Sequence, residues 1–218
     1  MRKKVVLFDL WMTLVFGLSV DPILTLQETL KHRKPGEPLD SAFLTKCLTT
    51  NIADPSRFLR EVAATFNLKM PRGSVGAFRK LIVDERKAAT AYDDAEEVLK
   101  QLRLQGYRLG IISNLWPFPV RRIFKDMGLG AHFEHLVYSY EVGARKPTTK
   151  IFDHAAQLFG VEASDCVMVG DSMSSDIEGA LAAGMDAILI DRSGKVARLD
   201  ADNAHVVRSL TDVQRLLV

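Results

Sequence analysis

Short apolar runs separated by helical stretches restrict the fold of this chain more than any other feature. The runs are Val5–Asp9, Tyr107–Ser113, Leu136–Tyr140, Cys166–Val169 and Ala187–Ile190. Apolar residues follow one another in them almost without polar alternation, as in strands buried on both faces. Between the runs, Ala95, Val98, Leu99 and Leu102 mark one face of a helix that Gly106 closes. Residues 119–127 predict a short amphipathic helix ending at Gly128. Thr148–Phe159 predicts another, ended by Gly160, and Asp176–Ala183 a third, stopped by Gly184. Repeated strand–helix–strand units with short links predict an α/β fold, a parallel sheet wrapped by helices on both faces. Ligands of such sheets sit outside the carboxyl ends of the strands. Asp9, Ser113 and Asp171 all fall at or just past such an end.

Residues 16–89 follow another pattern. Asp21–His32, Ser41–Asn51, Pro55–Phe66 and Val75–Ala88 have helical periodicity, with breaks at residues 34–38, at Asp54-Pro55 and at Met70-Pro71-Arg72-Gly73. No strand alternation is visible there. A length of 218 residues accommodates one core plus a small accessory domain. The expected organisation is a sheet domain of residues 1–15 and 90–218, with a small all-α insert, 16–89, after the first strand.

Bulk properties exclude several classes. A net charge of +2 is too small to point to nucleic acid or an anionic membrane. Arg121, Arg122 and Lys125 read as a solvated helix face. Cys47 and Cys166 give no disulfide framework, and Cys166 lies in an apolar run, as a buried reduced thiol does. The apolar run after Arg2-Lys3-Lys4 ends at Asp9, too early for a signal-peptide core or a membrane span, so the expected location is the cytoplasm. The five histidines form no metal-ligand spacing.

The candidate chemistry lies at the strand ends. Asp9 can be a carboxylate nucleophile, which splits phosphoryl transfer into two easier steps; alone, it could equally be a structural cap. The Ser113 hydroxyl and the backbone N–H groups near Asn114 can bind phosphoryl oxygens. Lys146, in Gly143-Ala144-Arg145-Lys146-Pro147 before a helix, can neutralise an anion and orient Asp9. The segment Gly170-Asp171-Ser172-Met173-Ser174-Ser175-Asp176 carries two carboxylates across a Ser-rich turn. They suit a hard cation such as Mg2+, which takes oxygen ligands. Asp176 could also cap the following helix. Lys31, Arg33, Lys34, Arg57 and Arg60 could meet an anionic substrate, and a solvated helix surface explains them equally well.

Together, these segments resemble the haloacid dehalogenase-like hydrolase superfamily, over the first strand and then roughly Tyr92 to Asp191. The resemblance implies a Rossmann-like core and an α-helical cap between the first two motifs. It implies Asp9 as nucleophile and metal ligand, with the Trp11 backbone carbonyl and Asp171 completing a magnesium site to which Asp176 is added. It implies phosphoryl contacts from Thr13 and Ser113, and Lys146 as the steadying cation. Trp11 and Asn114 are candidate substrate contacts. Phosphatases of this superfamily read Asp-x-Asp-Gly-Thr, whereas this chain reads Asp9-Leu10-Trp11-Met12-Thr13. The second Asp is their general acid and base, and an indole cannot exchange a proton at neutral pH. The superfamily's 2-haloacid dehalogenases also lack that Asp and carry Tyr there, but they lack the Gly-Asp of Gly170-Asp171.

The expectation is a Mg2+-dependent phosphatase acting on a small phosphorylated molecule, as a monomer or homodimer, with neither nucleic acid nor membrane as partner. Without the acid, good leaving groups are favoured. Two alternatives stand beside it: a 2-haloacid dehalogenase-like hydrolase, and a weakly active or non-catalytic protein that binds a phosphorylated ligand.

Overall fold

The computed structural model describes residues 4–17, 21–34, 36–118 and 120–217, with the backbone alone at 120–122 and 125. The face expected from Arg121, Arg122 and Lys125 thus lies outside the described residues.

The strands are β1 (Val5–Phe8), β2 (Val15–Phe16), β3 (Thr90–Ala91), β4 (Arg108–Ser113), β5 (His135–Tyr138), β6 (Cys166–Gly170), β7 (Asp186–Ile190) and β8 (Ala204–Val207). Six of them form a parallel sheet in the order β5-β4-β1-β6-β7-β8. Alternate residues of β1 enter different cores. Val6 and Phe8 pack with Val98, Leu99 and Leu102, whereas Val5 and Leu7 pack with Ile151, Phe152 and Ala155. Side chains alternate sides along a strand, so a strand covered on both sides has no polar position to offer.

The inserted segment holds α1 (Pro22–Thr29), α2 (Ser41–Thr49), α3 (Pro55–Thr65) and α4 (Ser74–Ala88). The first three begin at an aspartate whose carboxylate accepts backbone N–H groups of the first turn: Asp21 from Ile23 and Leu24, Asp40 from Phe43, Asp54 from Arg57. That satisfies donors a helix start leaves unpaired. Phe43, Phe58, Leu59, Val62 and Phe78 form this segment's own core. Trp116 and Phe118, from the stretch after β4, complete it, with edge-on contacts of Trp116 to Phe78 at 5.4 Å and of Phe118 to Phe58 at 5.2 Å. The antiparallel pair β2–β3, with Val15 opposite Ala91, runs the two connections to the sheet side by side.

The sheet's helices are α5 (Ala95–Leu104), α6 (Val120–Met127), α7 (Ser139–Val142), α8 (Thr149–Phe159), α9 (Glu178–Ala182) and α10 (Leu210–Leu217). α5 and α10 cover one face; α8 and α9 cover the other. Three details depart from the expected pattern. The strand at Leu136 ends at Tyr138, because Ser139 turns the chain into α7 and its hydroxyl donates to the Leu48 carbonyl (2.6 Å) and accepts from the Leu115 N–H (2.9 Å). The helix expected from Asp176 starts earlier, as a π turn at Met173–Ile177 that runs into α9. β8 and α10 were not anticipated; β8 is an edge strand with His205 exposed, so it lacks the continuous apolar run of the others.

α4 turns one acid inward. Glu85 is 4% exposed, and its Oε2 accepts the indole N–H of Trp116 at 3.0 Å. Burial pushes its carboxyl up to about 8, against the pull of the Trp116 hydrogen bond and with a further push from Asp21. The folded state therefore keeps this proton to higher pH than the unfolded chain does. Its favourable contribution is complete below about 4.5 and is lost as pH rises through about 8. Glu85→Gln, which keeps an acceptor for Trp116, is expected to gain several degrees in Tm over the parent between pH 5 and pH 9. Thermal unfolding across that range checks this; a difference independent of pH would contradict the protonated, buried carboxyl.

Candidate active site

β1 lies between β4 and β6, where the sheet's connections diverge, so the carboxyl ends of these three strands meet at the sheet's switch point. Asp9 follows β1, Ser113 ends β4 and Asp171 follows β6. The turn before α8 brings Lys146 to the same place.

Lys146 is 1% exposed, and its Nζ stands 2.7 Å from Asp9 Oδ1 and 2.5 Å from Asp176 Oδ1. It also donates to the Ile112 carbonyl at 2.9 Å. Burial by itself pushes a lysine down, but the charges of Asp176 and Asp9 outweigh it and hold the ammonium above the ordinary lysine range. Ser113 Oγ donates to the same Asp9 oxygen at 2.8 Å. Both bonds land on Oδ1, so Oδ2 is the Asp9 oxygen left for other chemistry. Asn114 holds the lysine in place: its Oδ1 accepts the Lys146 N–H at 2.8 Å and its Nδ2 donates to the Lys146 carbonyl at 3.0 Å. The Asn114 amide, expected to contact substrate, is bonded at both ends to the Lys146 backbone.

Asp176 is buried inside the π turn, where its Oδ2 accepts the Ser172 N–H at 3.0 Å. The helix-start role considered for it belongs to Ser172, whose hydroxyl accepts from Ser175 N–H. π turns are rare and recur at functional sites. Gly170 makes room for this carboxylate; a Cβ there would lie 2.2 Å from Asp176 Oδ2. Asp171 is exposed as a residue, but its carboxylate turns into the site, and Asp9, Asp171 and Asp176 each offer an oxygen within 4.8 Å of the others. Partial burial, then the charges of Asp9 and Asp176, push Asp171 up to about 7 against the pull of Lys146. Burial and Asp9 likewise raise Asp176.

Three carboxylates around one ammonium leave a net negative charge that no described side chain cancels. Asp176 Oδ1 is buried, with the Lys146 ammonium 2.5 Å away. A hard divalent cation fits this excess, since it takes oxygen ligands and brings two positive charges. The site can therefore hold a metal ion on Asp9, Asp171 and Asp176.

The loop after Asp9 turns tightly. Met12 has φ +60°, in the left-handed region that favours glycine, and its N–H donates to the Val15 carbonyl at 2.6 Å. The backbone thus keeps a glycine-like turn with a methionine in it. Thr13 is fully buried, and its hydroxyl has no hydrogen bond among the described residues. Arg192 pins the loop from outside: Nη2 donates to the Thr13 carbonyl at 3.2 Å and the guanidinium lies 3.5 Å over the Tyr92 ring. Trp11 is half-buried and faces a cavity of about 360 Å³ that Met12, Asn114, Trp116, Asp21 and Glu85 also line. Sequence reasoning missed Gly170's role, Arg192, Glu85 and Asp21; only Gly170, beside Asp171, carried a local signal. Of the basic residues considered for substrate contact, Arg33 is buried against Glu28 at 2.5 Å, and Lys31, Lys34, Arg57 and Arg60 are exposed. No helix among the described residues is long and apolar enough to cross a membrane.

The family model for haloacid dehalogenase-like hydrolases matches residues 3–184. A glyceraldehyde 3-phosphate phosphatase of Pyrococcus furiosus is 30% identical over 212 residues, covering 92% of this chain and 85% of that protein. A phosphoserine phosphatase of Thermus thermophilus is 36% identical over 108 residues, or 50% of this chain and 43% of that protein. The chain spans about half the length of several curated relatives it matches. A crystallised HAD phosphatase from Thermococcus onnurineus superposes over 98% of this chain and 97% of that one, at 30% identity and a TM-score of 0.64.

Lys146→Met would leave Asp9 and Asp176 facing each other without their ammonium. Breaking a buried ion pair from one side costs about 3–5 kcal/mol, and that loss is expected in urea unfolding at pH 7. It should shrink at pH 5, where the raised carboxyls take up protons. A loss equal at both pH values would mean that Lys146 contributes packing rather than charge.

Proposed function

This chain belongs to the haloacid dehalogenase-like hydrolase family, and from that premise we propose that it is a magnesium-dependent phosphoryl-transfer hydrolase with Asp9 as nucleophile. The observation that carries this reading is the Asp9 carboxylate itself. Its Oδ1 is held by Ser113 and Lys146 at a strand end, beside Asp171 and Asp176. The phosphatases among its relatives support the reaction class.

Oδ2 of Asp9 attacks phosphorus, the P–O ester bond breaks, and the leaving oxygen takes the bonding electron pair. Water then attacks the aspartyl phosphate, the P–Oδ2 bond breaks, and the carboxylate returns with release of phosphate and a proton to solvent. Ser113 and Lys146 fix the carboxylate so that one oxygen points at the substrate. The buried Thr13 hydroxyl supplies a donor for a phosphoryl oxygen. Mg2+ held by Asp9, Asp171 and Asp176, with the Trp11 carbonyl as a further ligand, would neutralise charge on the carboxylates and on the phosphoryl group. Residues 16–89 act as a cap over this site. Without a bound cation, Asp171 and Asp176 would repel the carboxylate of a halocarboxylate substrate.

Trp11 sets the rate. Its indole neither gives nor takes a proton at neutral pH, so the leaving oxygen departs as an anion and the water attacks without a base. Aryl and acyl phosphates are therefore better substrates than alkyl phosphates. A positioned general acid is worth about 10²–10⁴-fold.

Intact-mass spectrometry after brief incubation with acetyl phosphate and Mg2+ should show an adduct of about 80 Da, the phosphoryl group on the carboxylate. Peptide mapping should place it on Asp9, and Asp9→Asn should show none. An adduct elsewhere, or none with no turnover of any phosphate ester, would overturn the proposal. Trp11→Asp should raise alkyl-phosphate turnover by about 10²-fold or more. Unchanged turnover with metal still bound would place the block in the Met12 turn.

A further inference from the structure

The cavity of about 360 Å³ beside the nucleophile loop has an unusual wall. Trp11, Met12 and Trp116 line it from the sheet side; Ile23, Leu44 and Leu48 line it from the helices. Its charged lining residues among those described are both acids, Asp21 and Glu85. Asp21 is engaged at the start of α1, where its carboxylate accepts the Ile23 and Leu24 N–H groups. Glu85 is tied to the Trp116 indole at 3.0 Å. Neither lysine nor arginine is among the described lining residues, so the wall has no counter-charge for an anion.

The cavity also begins where the chemistry ends. Trp11 and Met12 belong to the loop that follows Asp9, and Asn114, another lining residue, clamps Lys146. The cavity thus lies alongside the nucleophile loop and the residue that clamps Lys146. Its size suits an aromatic ring system, since a dry apolar cavity of about 150 Å³ already holds benzene.

We propose that this cavity receives the leaving group and selects an aromatic alcohol bearing no negative charge, so that the preferred substrate is an uncharged-headed aryl phosphate monoester. This rests on the reading of Asp9 as nucleophile. Two separate constraints converge on it. The missing acid at Trp11 requires an alcohol that leaves as a stable anion, which a phenol does and an alkyl alcohol does not. The apolar walls, with no lysine or arginine among their described lining residues, require that the remainder of that alcohol be apolar and not anionic. Glu85 pushed up to about 8 can be the hydrogen-bond partner of a neutral polar substituent on the ring. In the transfer step Asp9 Oδ2 bonds to phosphorus, the aryl P–O bond breaks, and the phenoxide takes its electron pair and later a proton from water.

The test compares kcat/KM for phenyl phosphate and for 4-carboxyphenyl phosphate, whose leaving phenols have similar acidity, so that the ratio reads recognition rather than chemistry. A preference for phenyl phosphate of at least about 10-fold is expected, as for an anion placed against an apolar wall without a counter-charge. Leu44→Lys places a cation in the wall and should shrink that ratio by raising turnover of the carboxylated substrate. A parent ratio near one, or a ratio that Leu44→Lys leaves unchanged in folded protein, would overturn the proposal. Product inhibition of the parent gives a second reading if the variant does not fold: 1-naphthol should inhibit and 4-hydroxybenzoate should not, and equal inhibition would overturn it too. Acetyl phosphate, whose leaving group is too small to need the cavity, separates the two levels. An Asp9 adduct with no aryl discrimination removes only the cavity assignment, and no adduct removes both.

Discussion

The ammonium of Lys146 holds the site together, and much of the surrounding structure serves to keep it there. It stands between Asp9 and Asp176 at 2.7 and 2.5 Å and reaches back to the Ile112 carbonyl. Such a cluster is poor evidence of stabilisation, because desolvating its charges cancels much of their attraction. The protein nevertheless commits several elements to it. Asn114 grips the Lys146 backbone with both ends of its amide. Gly170 leaves the space that the Asp176 carboxylate fills, and the π turn carries that carboxylate inward. Elements so arranged make geometric sense for a carboxylate that must present one oxygen and keep the other still.

The helical segment is fastened to the same end of the sheet by few but specific contacts. Trp116 and Phe118 leave β4 and enter the core of the helices. Ser139 bonds to the Leu48 carbonyl at the end of α2, and Arg145, next to Lys146, donates through Nε to Thr45 Oγ1 at 2.9 Å. The residues that attach the helices therefore lie immediately beside those that build the site. A shift of the helices would be felt at Lys146 through its own neighbour, and at Asn114 through Leu115 and Trp116.

The sheet was legible in the sequence because its strands are covered on both faces, which forces apolar residues at consecutive positions. Asp9, Ser113, Asp171 and Lys146 were legible for a related reason: each is a polar residue at the end of an apolar run or before a helix, and the parallel topology gathers such ends. Three kinds of feature were not legible. β8 is an edge strand with an exposed histidine, so its burial leaves no run. The π turn at Met173–Ile177 depends on Ser172 and Gly170 accommodating a buried carboxylate, which no helical period encodes. Glu85 lies on α4 among charged neighbours, and nothing local distinguishes it from a solvated acid; only the packing of α4 on Trp116 turns it inward.

The departures at Trp11 and Met12 are better understood as one change than as two. The loop keeps the backbone a glycine would favour, with Met12 at φ +60°, so the altered residues did not come with a different turn. What changed is what the turn presents. Where an acid would reach the leaving oxygen, an indole now faces the cavity, and where glycine would leave an open edge, a thioether extends the same apolar wall. In the proposed reaction, removing the proton donor penalises an alkoxide more than a phenoxide, and the apolar surface penalises a charged or polar remainder of the leaving group. Trp11 lies both at the position of the missing acid and in the cavity wall, and on the proposed mechanism that would link the missing acid to the choice of leaving group.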